Sequence, residues 1–218
     1  MVEMRRCVVI LSGGPDSVTA AYWAREKGYE VHALTFNYSQ KAQVEIQHAA
    51  EIAGILGITH KVIDLSNLSG IYEGVTSLVD REMEVTGTFT DPIIVPFRNG
   101  VFLSVAVAFA DGIGADLVLY GAHAGDEEFY PDCRREFYEA FEKAARLGTG
   151  KDIAIKSPLS HLRKSGVLLE AVRLGVPLEK TWSCYLPGPL HCGECESCNN
   201  RRRAFAEAGI PDPTKYEA

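Results

Sequence analysis

Apolar runs alternate with amphipathic stretches along the first third of the chain. The apolar run from Cys7 to Leu11 predicts a buried strand, and the amphipathic run from Val18 to Lys27 predicts a helix after it. The alternation continues, with strands predicted near residues 5–11, 30–36 and 60–65 and helices near residues 15–27 and 42–56. Repeated strand–helix–strand units predict an α/β fold, a doubly wound parallel sheet with helices on both faces.

The alternation stops between Ser66 and Pro96, a segment longer than a plain connection needs. We expect residues 66–96 to form either a lid or an interface element. The pattern then resumes, with helices predicted near residues 101–113, 134–147 and 164–174 and strands near residues 117–120 and 153–156. We therefore predict an α/β domain over residues 1–180 and a separate C-terminal segment over residues 181–218.

Composition and charge narrow the possible functions. The 218 residues are 46 % hydrophobic, which is enough to fill the core of one domain. A formal net charge of -7 disfavours a broad electrostatic grip on DNA or RNA, so no direct nucleic-acid binding is expected. No apolar run reaches the roughly 20 residues that a membrane span needs. We expect a cytoplasmic protein without a membrane segment.

A glycine-containing turn separates the first predicted strand from the first predicted helix, and it reads Ser12-Gly13-Gly14-Pro15-Asp16-Ser17. In a parallel sheet such a turn faces ligands, and the helix that follows it attracts phosphate. The two glycines leave backbone amides bare, and a proline suits the first helical position. An aspartate beside a phosphate indicates Mg²⁺. The turn matches neither the dinucleotide fingerprint nor the Walker loop, so it predicts a different phosphate loop or an ordinary glycine turn.

Three of the six cysteines fall within seven residues of the chain. Four thiolates on a turn-rich loop fit a closed, structural zinc site. An iron–sulfur cluster is the alternative, although such runs put their next cysteine downstream and here the fourth lies upstream. The predicted ligands are Cys184, Cys192, Cys195 and Cys198. A helix is expected to open after this loop with a solvated basic face, formed by Arg201, Arg202 and Arg203.

The glycine turn resembles the pyrophosphate loop (PP-loop) of the N-type ATP pyrophosphatases, which cleave ATP between the α and β phosphates. The resemblance implies their Rossmann-like fold, known as adenine nucleotide alpha-hydrolase-like. Within that superfamily the chain resembles the 7-cyano-7-deazaguanine synthase (QueC) family along nearly its whole length. Five separated blocks in the family's order carry this resemblance: Ser12 to Ser17, Val95 to Asn99, Tyr130 to Arg134, Thr181 to Tyr185, and Cys192 to Cys198.

The resemblance implies an ATP-dependent ligase that makes a nitrile. Its substrates would be ATP, 7-carboxy-7-deazaguanine and ammonia, its product 7-cyano-7-deazaguanine, and its pathway queuosine or archaeosine biosynthesis. It also implies a homodimer. The segment Tyr38 to Ala42 departs from the family's usual Tyr-x-Gln-Arg-His, because Lys41 lacks the forked donor of arginine and Ala42 lacks an imidazole.

Three sets of functional residues follow from the turn and the resemblance. Asp16 and Ser17 are expected to act in catalysis, and Lys164 either neutralises the departing pyrophosphate or is an exposed lysine at a helix start. The expected ATP-binding residues are Leu11, Ser12, Gly13, Gly14, Pro15, Asp16 and Ser17, with Leu34 and Phe36 seating adenine through backbone groups. The expected substrate-binding residues are Arg98 for the carboxylate, and Asn99, Asp126, Tyr130, Asp132 and Arg134.

Alternatives remain at this point. Asp132 precedes a predicted helix and could simply cap it. A tRNA-modifying sulfur transferase would share the phosphate loop, but it predicts reactive cysteines or an iron–sulfur cluster and a positive RNA-binding surface. A non-catalytic nucleotide-binding module would share the sheet, but it would leave the cysteine loop and the block from Tyr130 to Arg134 without a purpose.

Overall fold

Parallel strands form the centre of the fold in this computed structural model, which describes residues 5–89 and 91–217. The strands found there are β1 (Arg6–Ile10), β2 (Glu30–Asn37), β3 (Thr59–Asp64), β4 (Leu117–Leu119) and β5 (Ala154–Lys156). Their order across the sheet is β3-β2-β1-β4-β5, and every neighbouring pair is parallel. The chain therefore winds outward from β1 in both directions, which creates a switch point between β1 and β4.

Helices cover both faces of this sheet. They are α1 (Pro15–Glu26), α2 (Val44–Leu56), α3 (Ser69–Tyr72), α4 (Arg98–Ile113), α5 (Arg135–Thr149), α6 (Lys164–Leu174) and α7 (Glu196–Ala208). Core contacts place α4 and α5 on one face and α1, α2, α6 and α7 on the other. Across residues 5–89 and 91–217, no helix combines the length and the apolar character that crossing a membrane requires.

Two apolar cores lie on the two faces of the sheet. On β1, Val8 and Ile10 join the core beneath α4, whereas Cys7 and Val9 join the core beneath α1. All four are buried. This double burial explains why β1 reads as an uninterrupted apolar run rather than as an alternating one. The predicted doubly wound parallel sheet is confirmed.

Helix α4 begins three residues earlier than its apolar pattern predicted, at Arg98 rather than at Val101. The carboxylate of Asp132 accepts a hydrogen bond from the backbone N–H of Asn99 at 2.9 Å, and so satisfies one of the free donors of the first turn. The residue before the helix, Phe97, has a left-handed backbone with φ of 53°. Neither the hydrogen bond from Asp132 nor the left-handed backbone of Phe97 can be inferred from the hydrophobic periodicity at the start of α4.

Helix α7 also begins earlier than expected, at Glu196 directly after the cysteine loop. The predicted solvated basic face is wrong for Arg201, which is only 1 % exposed. Its guanidinium donates to the Leu178 carbonyl oxygen at 2.8 Å and to the Thr181 hydroxyl at 2.9 Å. Since α7 packs into the core beneath α1, the C-terminal segment shares the core of the sheet domain, and a boundary at residue 180 stays a prediction.

The described residues of the segment 66–96 pack onto the body of the protein. Its Leu78 and Val79 are buried, and the Leu78 carbonyl oxygen accepts a hydrogen bond from the Lys41 N–H at 2.8 Å. Val85 contacts both the core beneath α4 and the cluster around the cysteines. The choice between a lid and an interface element remains a prediction.

Candidate active site

The glycine turn lies at the carboxyl edge of the sheet, between β1 and α1. Gly13 has φ of +84°, a conformation that glycine adopts without steric cost. A Cβ added there would lie 2.6 Å from the carbonyl oxygen of Glu45, so the turn also needs glycine for its close approach to α2. The Gly13 carbonyl oxygen accepts a hydrogen bond from the Trp182 N–H at 2.9 Å. The turn is therefore held from the α2 side and from the C-terminal segment.

The two serines of the turn bond to one another. The Ser12 N–H donates to Ser17 Oγ at 3.1 Å, and the two hydroxyl oxygens are also 3.1 Å apart. The Ser17 hydroxyl donates in turn to the Gly14 carbonyl oxygen at 3.0 Å. Ser17 is buried and Ser12 is exposed. Ser17 thus shapes the turn, and its contact with a phosphate stays a prediction.

Asp16, in the first turn of α1, forms an ion pair with Lys164, the first residue of α6. The two side chains are 23 % and 18 % exposed, so the interpretation of Lys164 as an exposed lysine is wrong. Burial raises the pKa of Asp16, but Lys164 and His123 outweigh it and hold this pKa below its ordinary value. The Asp16 Oδ1 is buried and accepts no hydrogen bond from the described residues.

His123 is a buried site residue that the sequence did not single out. Its Nε2 lies 3.5 Å from Asp126 Oδ1 and 3.9 Å from Asp16 Oδ1. Its Nδ1 accepts a hydrogen bond from the Gly125 N–H at 3.1 Å, which leaves Nε2 as the ring donor on the side of the two carboxylates. Its place shortly after β4, at the switch point, is the one signal that points to it in the sequence.

Asp126 belongs to the same polar cluster. Its Oδ2 accepts a hydrogen bond from the His123 N–H at 3.0 Å, and burial raises the pKa of Asp126. Gly121 allows the loops after β1 and β4 to meet, because a Cβ there would lie 2.7 Å from the Ser17 nitrogen and 2.8 Å from the Asp16 carbonyl carbon. Asp126 and Asp16 therefore lie near the same imidazole nitrogen, Nε2 of His123.

Four of the predicted substrate-binding residues line one cavity of about 70 Å³. This volume is below the roughly 150 Å³ of a protein cavity that holds benzene, so a bicyclic ring can enter only if wall side chains move. Tyr185 also lines the cavity and was not assigned from the sequence. The full lining is Leu78, Ile93, Val95, Arg98, Asn99, Tyr130, Asp132 and Tyr185.

Arg98 brings a positive charge to this cavity. Its guanidinium donates to the Tyr38 hydroxyl oxygen at 3.4 Å. It forms no ion pair within 4.0 Å among residues 5–89 and 91–217. A half-buried guanidinium without a carboxylate partner is available to bind an anionic ligand through its planar fork.

Asn99 and Asp132 both line the cavity, and their side chains are hydrogen-bonded to each other. The Asn99 Nδ2 donates to Asp132 Oδ1 at 3.2 Å, in addition to the backbone bond already described. Asp132 therefore caps α4, and the alternative that it caps the helix following it is wrong. Arg134 does not line the cavity; its Nε donates to the Glu127 carbonyl oxygen at 2.9 Å.

The two residues predicted to seat adenine lie inside the core. Leu34 is fully buried, and the Phe36 ring is stacked on Phe102 of α4 with ring centroids 4.2 Å apart. The Leu34 carbonyl oxygen already accepts the Leu11 N–H at 2.8 Å. Their side chains are therefore used in core packing. Only their backbone groups could contact adenine, as the sequence analysis expected.

The four cysteines of the C-terminal loop converge. Their sulfurs all lie within 4.8 Å of one another, and two of the pairs are 3.9 Å apart. A tetrahedral zinc with Zn–S bonds of about 2.3 Å separates its sulfurs by about 3.8 Å. Backbone N–H groups donate to the sulfurs of Cys184 and Cys192. The donors are Leu186, Cys192, Glu194 and Cys195. The predicted ligand set thus fits a metal ion.

A turn of bare amides at the switch point of a parallel sheet is where α/β proteins bind nucleotide phosphates. With a lysine and an aspartate paired beside that turn, the fold and site are those of an α/β protein that binds nucleotide phosphates. The chain belongs to the QueC family: the model described as "Queuosine biosynthesis protein QueC" matches residues 6–209. The resemblance predicted from the sequence is confirmed, and the protein functions in queuosine biosynthesis.

Relatives of nearly equal length support this membership. A protein of Thermoplasma acidophilum is 41 % identical over 99 % of this chain and 94 % of its own length. One of a Nitratiruptor species is 44 % identical over 98 % of this chain and 99 % of its own length. Both are named 7-cyano-7-deazaguanine synthase.

Solved structures share the fold at low identity. An NMN synthetase from Francisella tularensis has a TM-score of 0.57 and 20 % identity, covering 96 % of this chain and 79 % of that one. The U34-tRNA thiolase NcsA from Methanococcus maripaludis, solved with its [4Fe-4S] cluster, has a TM-score of 0.53 and 18 % identity, covering 95 % and 69 %. At such identity the likeness shows the fold alone.

Proposed function

We propose that this protein is an ATP-dependent ligase that converts 7-carboxy-7-deazaguanine and ammonia to 7-cyano-7-deazaguanine. The observation that carries the proposal is the full-length match to proteins named 7-cyano-7-deazaguanine synthase, at 41 and 44 % identity. The site supports it independently, because the Arg98 guanidinium, which has no ion-pair partner among the described residues, suits a carboxylic acid and the glycine turn suits a polyphosphate.

The chemistry needs two activations. A carboxylate oxygen attacks the α phosphorus of ATP, pyrophosphate leaves, and the acid becomes an acyl adenylate. Ammonia displaces AMP and gives the amide with release of a proton. The amide oxygen then attacks a second ATP, and loss of AMP and a proton leaves the nitrile. Two ATP thus become two AMP and two pyrophosphates, and each oxygen of the acid departs on an AMP.

The phosphate side of the site would act mainly by electrostatics. The backbone amides of Gly13 and Gly14 and the exposed Ser12 hydroxyl would bind the phosphates, and Lys164 would neutralise the departing pyrophosphate. The orphaned, ionised Asp16 Oδ1 is suited to Mg²⁺, directly or through water. Mg²⁺ bound there would offset charge on the phosphates.

The acid would bind in the cavity. We assign its carboxylate to Arg98 and its ring to the aromatic wall at Tyr130. Asn99 and Asp132 line the same cavity and would read polar edge groups of the base only by exchanging their mutual hydrogen bond. Asp126 shares His123 as a neighbour with Asp16, so we place it near the reacting carboxyl group.

We infer that the cysteine loop holds zinc in a structural role. Sulfurs 3.9 Å apart match a single ion, whereas a cluster of several irons spreads its thiolates over different metal atoms. A sulfur-transfer function is less well supported, because burial raises the pKa of Cys7 to about 12 and also raises the pKa of Cys133. Neither thiol is suited to act as a nucleophile. We also propose a homodimer without direct nucleic-acid binding.

The test is to incubate the purified protein with ATP, Mg²⁺, ¹⁵N-ammonium and 7-carboxy-7-deazaguanine labelled with ¹⁸O in its carboxylate. We expect a ¹⁵N-labelled nitrile and two AMP molecules per nitrile, each with one ¹⁸O, by mass spectrometry. Asp16→Asn should abolish turnover. Arg98→Lys, which keeps the charge but loses the fork, should raise the KM of the acid by about tenfold or more and leave that of ATP nearly unchanged.

AMP without nitrile would show that the phosphate turn is assigned correctly and the acid is not. Label in pyrophosphate instead of AMP would exclude attack on the α phosphorus. An equal rise of both KM values in Arg98→Lys would remove Arg98 as the carboxylate partner.

A further inference from the structure

Tyr185 connects the cysteine loop to the cavity. It lines the cavity, and in the chain it directly follows Cys184. Its ring packs against two apolar clusters, the core beneath α4 and the cluster formed around the cysteines. One aromatic side chain is therefore shared between the proposed substrate site and the proposed metal site.

Glu196 fixes the far end of the Tyr185 ring. The Tyr185 hydroxyl donates to Glu196 Oε2 at 3.2 Å. Glu196 begins α7 and directly follows Cys195, and its backbone N–H donates to the Thr86 carbonyl oxygen at 3.0 Å. The ring is thus held at its backbone end by one metal-ligand neighbour and at its hydroxyl end by another.

Further contacts join residues 85–87 to the cysteine loop and to α7. A Cβ at Gly87 would lie 2.8 Å from the Glu194 carbonyl oxygen, and the Asn199 side chain donates to the Gly87 carbonyl oxygen at 2.9 Å. Residues 85–87 therefore lie tightly against the cysteine loop, and Val85 packs against the same two apolar clusters as Tyr185. Through these contacts, the cysteine loop supports neighbouring residues as well as its own fold.

We propose that Tyr185 is a specificity-determining residue of the cavity, positioned by Glu196, and that the four-cysteine centre sets the shape of this wall. The ligand class is a planar heteroaromatic acid, with Tyr185 forming an aromatic wall of the cavity that also holds Arg98. This inference rests on the proposed function for the identity of the acid. The link between the cysteines and the cavity does not depend on the proposed function.

The first experiment is a double-mutant cycle read by calorimetric binding of 7-carboxy-7-deazaguanine. Tyr185→Phe and Glu196→Ala should each weaken binding about three- to tenfold, and the double variant should lose no more than either single one. Binding of ATP and the metal content should not change. Tyr216→Phe is the matched control, since the Tyr216 hydroxyl donates to Asp212 at 2.6 Å beside the same cysteine cluster but outside the cavity.

Additive losses, or an equal loss in Tyr216→Phe, would overturn the assignment of Tyr185. A wild-type protein that binds ATP but not the acid would instead refute the proposed substrate. The second experiment then decides the link by itself: hydrogen exchange of the protein before and after chelation of its metal. We expect faster exchange at residues 85–87 and at cavity residues such as Tyr130. Faster exchange confined to residues 184–198 would overturn the proposal.

Discussion

Gly121 is the position where the two loops of the site touch, and a single added methyl group tests that contact. In Gly121→Ala the new Cβ would lie 2.7 Å from the Ser17 nitrogen, against the 3.4 Å at which ordinary contact begins. About 0.7 Å must therefore be relieved, and the atoms in the way are backbone atoms of the phosphate turn and of α1, which cannot rotate aside.

Overpacking of this kind costs about 1–3 kcal/mol, which in a domain of this size lowers Tm by roughly 3–9 °C. The larger effect should be on turnover, because displacement of about 1 Å at a reacting centre costs up to about 100-fold. We expect kcat/KM for ATP, followed by pyrophosphate release, to fall by about 10- to 100-fold. The matched control is Gly112→Ala in α4, where a Cβ meets nothing within 4 Å, and which should stabilise the fold by about 0.5–1 kcal/mol. Wild-type Tm and turnover in Gly121→Ala would refute this reasoning.

Three further predictions concern single side chains. Burial raises the pKa of Glu45 from 4.5 to about 7, so the folded state keeps a proton that the unfolded chain releases. The free energy of unfolding should fall by roughly 2 kcal/mol between pH 4.5 and pH 7 in urea titrations, and Glu45→Gln should remove that slope. Asp132→Ala should cost about 1–2 kcal/mol of stability through loss of the α4 cap, and Asp132→Asn, which keeps an acceptor, should cost less; equal losses would contradict the capping role. His123→Gln keeps a donor near the Nε2 position and His123→Asn does not, so kcat/KM should fall about tenfold only in the asparagine variant; equal kcat/KM in the two would show that the Nε2 proton is not used.

The sheet could be predicted from the sequence because its signals are local. β1 follows from a short apolar run and α1 from an amphipathic period, each visible within about ten residues, and the turn between them follows from its glycines. The four cysteines were found for the same reason, since three of them are close in the chain. The first residues of α4 and α7 were predicted less accurately. The cap of α4 comes from Asp132, and α7 is bound through Arg201 to residues near 180, and both partners are distant in the chain.

The cavity could not be predicted from single segments of the chain. Its wall draws on Leu78, Arg98, Tyr130 and Tyr185, which belong to four separate segments. A sequence motif can mark some of these residues as unusual, but only the folded backbone shows that they share one space. His123 was missed for a similar reason, since its partners become visible only when the loops after β1 and β4 meet.

The hydrogen bond between Trp182 and Gly13 has a consequence for the order in which the protein is made. Translation produces the phosphate turn first, yet one of its partners, Trp182, follows it in the chain only after about 170 further residues. The phosphate turn therefore cannot gain this support before Trp182 has been synthesised, and ATP cannot help a shorter nascent chain to fold through the finished site. A truncated product that ends near residue 180 would carry the whole turn and still lack part of its support.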